Sequence, residues 1–404
     1  MSVCGVWMWS DSILLHGAER TVSYCAQAGV TDIYFLVKGL KGTIAYPSAY
    51  APPASQRDLL KELLDAAHAR GIRIHAWFTS TCDNNYRTLH PESGRCHYIR
   101  GKDRELIALT DEGYLSYMQS IVSEVCRTYD IDGLHLDYIR YNHLLYGWSE
   151  EDIRRYEAEG ADIAHLRSLI EKTFYAEEKD PDCIFSAFRS GDPSVLALAH
   201  ARRKDVVRFA ETLIRTARNE KENLIISAAL MPEGAYDDIS FSDLHYGQNY
   251  EDAARLYDYV LPMAYTQAYK QDEKWLRMVA EGTMRRGLTA VMGLHAYEGG
   301  TGLSLRNDIS SVTSLPIGGI CLFREGAFVY AFAENNRLTV YNPTAKTITG
   351  LSAENAYQKC ELSASIAPGE DQTFVLSLDS LRLLRAFSED NELCVYLISD
   401  HTVI

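Results

Sequence analysis

The sequence has no long hydrophobic run and no excess of positive charge. No stretch approaches the ~18 apolar residues that a membrane-spanning helix needs, so we expect no contact with a membrane interior. The 40 Lys and Arg residues are outnumbered by 55 Asp and Glu residues, which gives a net charge of −15. Because phosphate binding requires clustered Lys and Arg, this balance argues against a nucleic-acid partner.

A secretory signal and cysteine pairs are also lacking. The first residues show no basic region, apolar core or small-residue cleavage site, so we expect a cytoplasmic protein, or a secreted one if a leader precedes the given sequence. The nine Cys residues form no Cys-x-x-Cys pair. We expect buried free thiols at the four that lie in apolar runs: Cys4, Cys183, Cys321 and Cys394.

Signatures of metal and cofactor chemistry are missing as well. The twelve His residues include neither His-x-His nor His-Glu-x-x-His, the ligand patterns of metal-dependent hydrolases. No Gly-x-Gly-x-x-Gly follows the first predicted strand, which argues against a dinucleotide-binding fold. We therefore expect neither a metal nor an organic cofactor.

The sequence does contain a repeated alternation of short apolar runs and helical patterns. Candidate strands lie at residues 5–9, 32–37, 72–78, 133–139, 224–230, 259–265, 290–295 and 319–323. Amphipathic segments such as 55–70 separate them, and glycine follows several of these segments, as at a helix C-terminus. Eight βα units in one series predict an α/β fold, a (β/α)₈ (TIM) barrel, over residues 1–327.

Residues 328–404 show a different pattern, with β-forming residues between turns. The segments 338–341, 373–376 and 393–398 predict a small antiparallel β domain that packs against the barrel. Within the barrel, the connections after the third and fourth strands are unusually long. Since connections after barrel strands form the face where barrel active sites lie, we expect both to wall a cleft.

The most informative segment is 132–141, Asp-Gly-Leu-His-Leu-Asp-Tyr-Ile-Arg-Tyr. Alternate side chains of a strand share a face, so Gly133, His135 and Asp137 should point together. Polar residues that converge at the carboxyl end of a barrel strand are typical of an active site. The alternative is a buried ion pair between Asp137 and Arg140 that only fixes the loop.

This segment is similar to the fourth-strand signature of the glycosyl hydrolase-like 10 proteins, a group of bacterial barrel proteins described as glycosidases. Further segments resemble that group in order, at 72–78, 109–111, 201–209 and 259–265. The resemblance spans residues 3–325 and does not reach the C-terminal part. It implies hydrolysis of O-glycosidic bonds in an oligo- or polysaccharide.

Two carboxyl groups suffice for glycoside hydrolysis. A chitinase-like signature would place its catalytic Glu at Ile139, which cannot donate a proton. An amylase-like arrangement fits better, with Asp137 as nucleophile or stabilising carboxylate and Glu233, after the fifth strand, as proton donor. Arg140 and a charged His135 should lower the pKa of Asp137, and desolvation should raise that of Glu233. A solvated loop charge is the alternative for Glu233.

Aromatic and polar residues cluster at or just past the predicted strand ends. Aromatic rings offer a flat apolar face to a pyranose and polar side chains can bond its hydroxyl groups, so we expect these residues to contact a substrate: His135, Arg140, Tyr138, Tyr141, Trp77, Trp9, Lys38, Tyr265, Gln267 and Glu298. The alternatives to Glu233 as second carboxylate are Glu298, Glu325 and Asp83. Two other functions stay open: a carbohydrate-binding barrel that has lost hydrolysis, and a hydrolase or lyase with a non-sugar substrate.

Overall fold

The computed structural model describes residues 2–378, 380–389, 391–399 and 402–403. The strands of this part of the chain are β1 (Val3–Met8), β2 (Asp32–Lys38), β3 (Arg73–Thr79), β4 (Gly94–His97), β5 (Gly101–Ile107), β6 (Gly133–Asp137), β7 (Ile225–Leu230), β8 (Tyr259–Pro262), β9 (Val291–His295), β10 (Gly319–Phe323), β11 (Val329–Glu334), β12 (Arg337–Tyr341), β13 (Ile348–Glu354), β14 (Lys359–Ile366), β15 (Asp371–Val375), β16 (Leu383–Ser388), β17 (Asn391–Leu393), β18 (Val395–Ser399) and β19 (Thr402–Val403).

The helices lie mostly between the strands of the first 323 residues. They are α1 (Ser10–His16), α2 (Ala18–Gln27), α3 (Leu59–His68), α4 (Asn84–Leu89), α5 (Glu112–Thr128), α6 (Glu150–Ala158), α7 (Ile163–Phe174), α8 (Cys183–Arg189), α9 (Pro193–Glu220), α10 (Ser240–His245), α11 (Tyr250–Leu256), α12 (Thr266–Tyr269), α13 (Glu273–Arg285) and α14 (Gly302–Thr313). Short 3₁₀ helices lie at Pro91–Ser93 and Pro232–Ala235. None of the helices in the described ranges is long and apolar enough to cross a bilayer.

Eight parallel strands form the barrel, in the order β8-β7-β6-β3-β2-β1-β10-β9. Parallel bridges from Val260 to Ala290 and from Met263 to Gly293 join its two edge strands, so the barrel is nearly closed. All eight strands predicted from the sequence are present, and the TIM-barrel fold is confirmed.

Both long connections carry structure that was not predicted. The one after β3 contains α4 and the hairpin β4–β5, and the one after β6 contains α6, α7 and α8. The helices of the second connection have a hydrophobic cluster of their own around Trp148, Leu166 and Ile184. Because both follow barrel strands, they lie beside the carboxyl-end mouth of the barrel.

The C-terminal part forms two sheets, β15-β12-β11-β18-β19 and β14-β13-β16-β17, which share a hydrophobic core. The first sheet is mixed, since β11 and β18 run parallel, so the prediction of a purely antiparallel domain is wrong. This part packs against the barrel. Tyr341 stacks on Tyr24 with ring centroids 3.8 Å apart, and the Cys25 thiol lies 3.5 Å from the Tyr330 hydroxyl.

The cysteines are all free thiols. Cys321 and Cys394 are buried, as expected from their apolar runs. Cys4 and Cys183 are only half-buried, so the expectation of buried thiols is wrong for these two.

Candidate active site

Asp137 is the last residue of β6, at the carboxyl end of the barrel. The Trp77 indole donates a hydrogen bond to its Oδ2 at 3.2 Å, and the Tyr138 amide donates to its Oδ1 at 2.6 Å. The Arg140 Nη1 atom lies 3.5 Å from the same Oδ1, and the Asp137 side chain is 5% exposed. The carboxyl group is therefore held in one orientation and nearly covered.

Burial raises the pKa of the Asp137 carboxyl, although Arg140, the Tyr138 amide and the Trp77 indole each lower it. The prediction of a lowered pKa is wrong. It accounted for the neighbouring positive charge, which is visible in the sequence. It did not account for the loss of solvent, which opposes ionisation of a carboxyl group and is here the larger effect.

His135 lies two residues before Asp137 on the same face of β6, where it faces the barrel interior and is fully buried. The Trp7 indole donates to its Nε2 at 3.1 Å, so that nitrogen is an acceptor and the ring is neutral. Its Nδ1 lies 2.9 Å from the Ser227 hydroxyl, and burial lowers the pKa well below the ordinary value. The predictions that His135 is charged and contacts the substrate are therefore wrong. Its hydrogen bonds with Trp7 and Ser227 instead hold the inner face of β6 in place.

Tyr138 leaves the strand in a left-handed conformation, with φ of 60°. This conformation is uncommon for a residue with a Cβ atom, and such strain concentrates at functional sites. The turn aims the Tyr138 amide back at Asp137 and places its ring 4.4 Å from the Arg140 guanidinium carbon. Tyr138 is half-buried, so its ring reaches the surface of the mouth.

Glu233 lies in the 3₁₀ helix that follows β7, and 8% of the residue is exposed. The Tyr246 hydroxyl donates to its Oε1 at 3.4 Å. Burial raises the pKa of Glu233, while the hydrogen bond from Tyr246 and the charge of Arg140 lower it. Glu233 is therefore not a solvated loop charge, and its environment favours the protonated form.

Arg140 connects the two carboxyl groups electrostatically, because its charge lowers the pKa of both Asp137 and Glu233. The strands that carry them are neighbours, with Leu136 paired to Ala228. Asp137 ends β6 and Glu233 lies just after the neighbouring β7, and two carboxyl groups with raised pKa values at one barrel mouth suit acid-assisted hydrolysis.

A group of half-buried aromatic rings surrounds the mouth. The Tyr265 ring lies 5.4 Å from Phe323 and 5.9 Å from Tyr297, and the Arg324 guanidinium carbon lies 3.6 Å from the Trp9 ring. Phe323 and Arg324 were not singled out from the sequence, although their position at the end of the eighth strand was a usable signal. Tyr246 was also missed, and nothing in the pattern indicated that it would contact Glu233.

Two further predicted substrate contacts are corrected by the structure. Lys38 is fully buried and forms an ion pair with Asp83 at 2.9 Å, so its charge is paired inside the protein. Tyr141 is buried and donates to the Asp205 carboxylate at 2.7 Å, on the side of the insertion that follows β6. Both were placed at the mouth because they follow a strand, but both side chains turn away from it.

The remaining acidic candidates lie outside the pair. Asp83 is paired with Lys38 and caps α4. Glu325 is fully buried near Tyr330 of the C-terminal sheets, and its negative charge contributes, after burial, to the raised pKa of Tyr330. Glu298 has a 91% exposed side chain, and Gln267 is exposed on α12. As substrate contacts, Gln267 and Glu298 stay predictions. Among the described residues, no cluster of three His, Cys, Asp or Glu could hold a metal ion.

Fold and site together define a glycosidase-like (β/α)₈ barrel. The family model described as Glycosyl hydrolase-like 10 matches residues 4–283, more than half of the chain. The chain belongs to this family. No curated protein sequence is detectably similar to it.

Solved structures with the same fold include glycoside hydrolases. The PgaB (BpsB) glycoside hydrolase domain from Bordetella bronchiseptica superposes with a TM-score of 0.65 and 14% identity, over 80% of this chain and 94% of that domain. The α-L-fucosidase isoenzyme 2 from Paenibacillus thiaminolyticus superposes with a TM-score of 0.55 and 15% identity, over 80% of this chain and 46% of that protein. The β-galactosidase from the psychrophilic Marinomonas ef1 superposes with a TM-score of 0.57 and 10% identity, over 80% of this chain and 54% of that protein. At these identities the similarity shows the fold alone.

Proposed function

We propose that the protein hydrolyses an O-glycosidic bond of an oligo- or polysaccharide at the mouth of the barrel. The observation that carries this proposal is the pair Asp137 and Glu233. Both are carboxyl groups with burial-raised pKa values, one at the end of β6 and one just after β7, and the charge of Arg140 lowers the pKa of each. Membership of the family and the glycoside hydrolase structures with this fold support the same class of reaction.

In the proposed reaction, protonated Glu233 donates its proton to the oxygen of the departing sugar. The Asp137 carboxylate, oriented by Trp77 and the Tyr138 amide, stabilises or attacks the anomeric carbon as the bond breaks. A water molecule supplies the new hydroxyl group and restores the proton to Glu233. The mechanism uses no metal or organic cofactor. Half-buried Tyr138, Tyr265 and Trp9 offer ring faces to the sugar.

Mass spectrometry on a panel of oligosaccharides and 4-nitrophenyl glycosides tests the reaction class. We expect products whose summed mass exceeds the substrate by one water, with ¹⁸O from labelled water in the newly formed reducing end. Products without added water would indicate a lyase, and cleavage confined to non-sugar esters or amides would also contradict the proposal.

The burial of Asp137 favours a second candidate, a carbohydrate-binding barrel without hydrolysis. Its side chain is only 5% exposed, and both carboxylate oxygens already accept hydrogen bonds. A substrate must displace part of this cover before Asp137 can react. Measured binding of a panel sugar by calorimetry, with no product after prolonged incubation, would select this candidate over the hydrolase.

A further inference from the structure

Phe241 is an exposed aromatic residue on α10, in the connection after β7 that also carries Glu233. It is 40% exposed, and among the aromatic side chains in the described ranges only Tyr50 and Tyr357 are comparably exposed. A single exposed apolar side chain is ordinary, so its meaning depends on the rings that it packs against and on its position in the fold.

The Phe241 ring belongs to an ordered aromatic surface rather than standing alone. It stacks near Phe185 of α8, with centroids 5.9 Å apart and planes 16° from parallel. It also lies 4.2 Å from the His245 ring. The His245 residue is 3% exposed, and burial lowers its pKa to about 3, so this ring is neutral and packs behind Phe241 without adding exposed surface. We call Phe185, Phe241 and His245 the aromatic platform.

The platform is continuous with the candidate catalytic pair. The Phe241 ring lies 5.8 Å from the Tyr246 ring, and the Tyr246 hydroxyl donates to Glu233. Residues from the insertion after β6 and from the connection after β7 therefore meet here, just beyond the proposed proton donor.

The size and border of the platform suit a sugar ring better than a protein partner. Two aromatic side chains cover at most about 150–250 Å² each, whereas a stable protein interface buries about 800 Å² per partner. An exposed ion pair, Arg189 Nη1 to Asp238 Oδ2 at 3.1 Å, lies four residues after Phe185 and three before Phe241. A flat apolar face with charged groups at its edge matches the C–H face and the hydroxyl groups of a pyranose.

We propose that the aromatic platform is a sugar-binding subsite that holds the unit of an oligosaccharide on the leaving-group side of Glu233. This inference rests on the proposed function, because Glu233 defines the point of cleavage. It assigns Phe241 the stacking contact and the role of selecting longer substrates over single-sugar glycosides.

The test compares Phe241→Ala and Phe241→Trp with Tyr357→Ala, a control whose residue is 93% exposed in the C-terminal part. Hexasaccharides of glucose, N-acetylglucosamine and galactose, and the matching 4-nitrophenyl glycosides, are the probes. We expect Phe241→Ala to weaken hexasaccharide binding, measured by calorimetry, and to raise the KM for the hexasaccharide about tenfold, with a smaller rise in the KM for the 4-nitrophenyl glycoside, which has no sugar on the leaving-group side. Phe241→Trp and Tyr357→Ala should bind as the unaltered protein does.

The outcomes separate this inference from the proposed function. If the unaltered protein hydrolyses a hexasaccharide and Phe241→Ala does so with the same KM, the subsite is wrong and the hydrolase stands. If the protein binds without turnover and Phe241→Ala weakens that binding, the platform is a sugar-binding site, but its assignment to a leaving-group side and the hydrolase are both wrong. Absence of both binding and turnover overturns both, and a dimer in sedimentation that Phe241→Ala dissociates would assign the platform to self-association instead.

Discussion

At the scale of single residues, the two carboxyl groups make opposite demands on pH. Glu233 must carry a proton to donate it, so activity falls as pH rises through its pKa. Asp137 must be ionised, so activity falls as pH drops through its own pKa. Burial raises both pKa values above their ordinary 4.5 and 3.8. We therefore expect a bell-shaped pH profile whose acidic limb lies above the pKa of an exposed Asp.

Glu233→Gln should remove the alkaline limb and lower kcat on an oligosaccharide by about 10²–10⁴-fold, since an amide cannot donate the proton. The loss should be smaller on a 4-nitrophenyl glycoside, whose leaving group needs little protonation. The pH dependence of kcat/KM measures both effects. Glu222→Gln, an exposed position just before β7, is the matched control; an alkaline limb that persists in Glu233→Gln contradicts the assignment.

Trp77→Phe should move the acidic limb to higher pH. The Trp77 indole lowers the pKa of Asp137 through its hydrogen bond, so its removal raises that pKa. A hydrogen bond to a charged group contributes about 1.5–3 kcal/mol, which corresponds to a shift of about one to two pH units. Trp9→Phe, at the same mouth, should leave the limb in place. An unmoved or lowered limb in Trp77→Phe would show that the indole does not act on Asp137.

The residue types of the site were predictable, but their surroundings were not. Alternation along residues 133–137 identified Asp137 as a polar group at the end of a barrel strand, and the nearby Arg140 was visible in the sequence. The left-handed turn at Tyr138 and the tyrosines around Glu233 depend on contacts between distant segments. Burial, which sets the direction of both pKa shifts, arises only when those segments pack.

At the scale of elements, β6 is held by close polar packing inside the barrel. A Cβ atom on Gly133 would lie 2.0 Å from the His75 Nδ1 atom. His75 cannot move easily, because its Nε2 bonds the buried Asp32 carboxylate at 2.8 Å. The glycine of the fourth-strand motif thus makes room for an inner histidine rather than for a ligand.

Gly133→Ala should therefore lower the free energy of unfolding by about 1–3 kcal/mol, as overpacking in a core does. Urea denaturation measures the change. Gly350→Ala is the matched control, because a Cβ atom on that strand glycine meets no atom within 4 Å. We expect its effect to stay within about 0.5 kcal/mol. Equal stability of Gly133→Ala and the unaltered protein would mean that the inner face of β6 is looser than the structure shows.

Elements with strong apolar patterns were predicted, and polar ones were not. The barrel strands read as apolar runs because helices cover their outer faces. The hairpin β4–β5 includes Gly94-Arg-Cys-His and Gly101-Lys-Asp, which show no apolar alternation. β4 and β5 pair with each other over this polar sequence. The buried Arg95 guanidinium stabilises the hairpin by donating hydrogen bonds to the carbonyl groups of Arg140 and Ile107.

At the scale of the whole molecule, the barrel and the C-terminal sheets enclose a buried carboxyl group. Glu325 is fully buried after β10, and burial raises its pKa to about 7, although the Ser12 hydroxyl and Arg324 lower it. The folded state therefore holds this proton more tightly than the unfolded state. Its stabilising effect is complete below the ordinary pKa of 4.5 and is lost as pH rises to about 7.

Glu325→Gln should remove this loss, because glutamine stays neutral. The 2.5-unit difference between the two pKa values corresponds to about 3 kcal/mol, so the variant should gain stability at about pH 8 relative to about pH 5. Urea denaturation at both pH values measures the gain. Glu334→Gln, at an exposed position of β11, is the control. A gain of equal size at both pH values would argue against titration of Glu325.

The central claim is that Asp137 performs chemistry at the barrel mouth, and turnover by Asp137→Asn tests it most directly. This change keeps the shape of the side chain and leaves acceptor capacity for the bond from Trp77. We expect kcat on a cleaved oligosaccharide to fall by about 10³-fold or more, with an unchanged circular dichroism spectrum and retained sugar binding. Turnover by Asp137→Asn at a rate close to that of the unaltered protein would contradict the account.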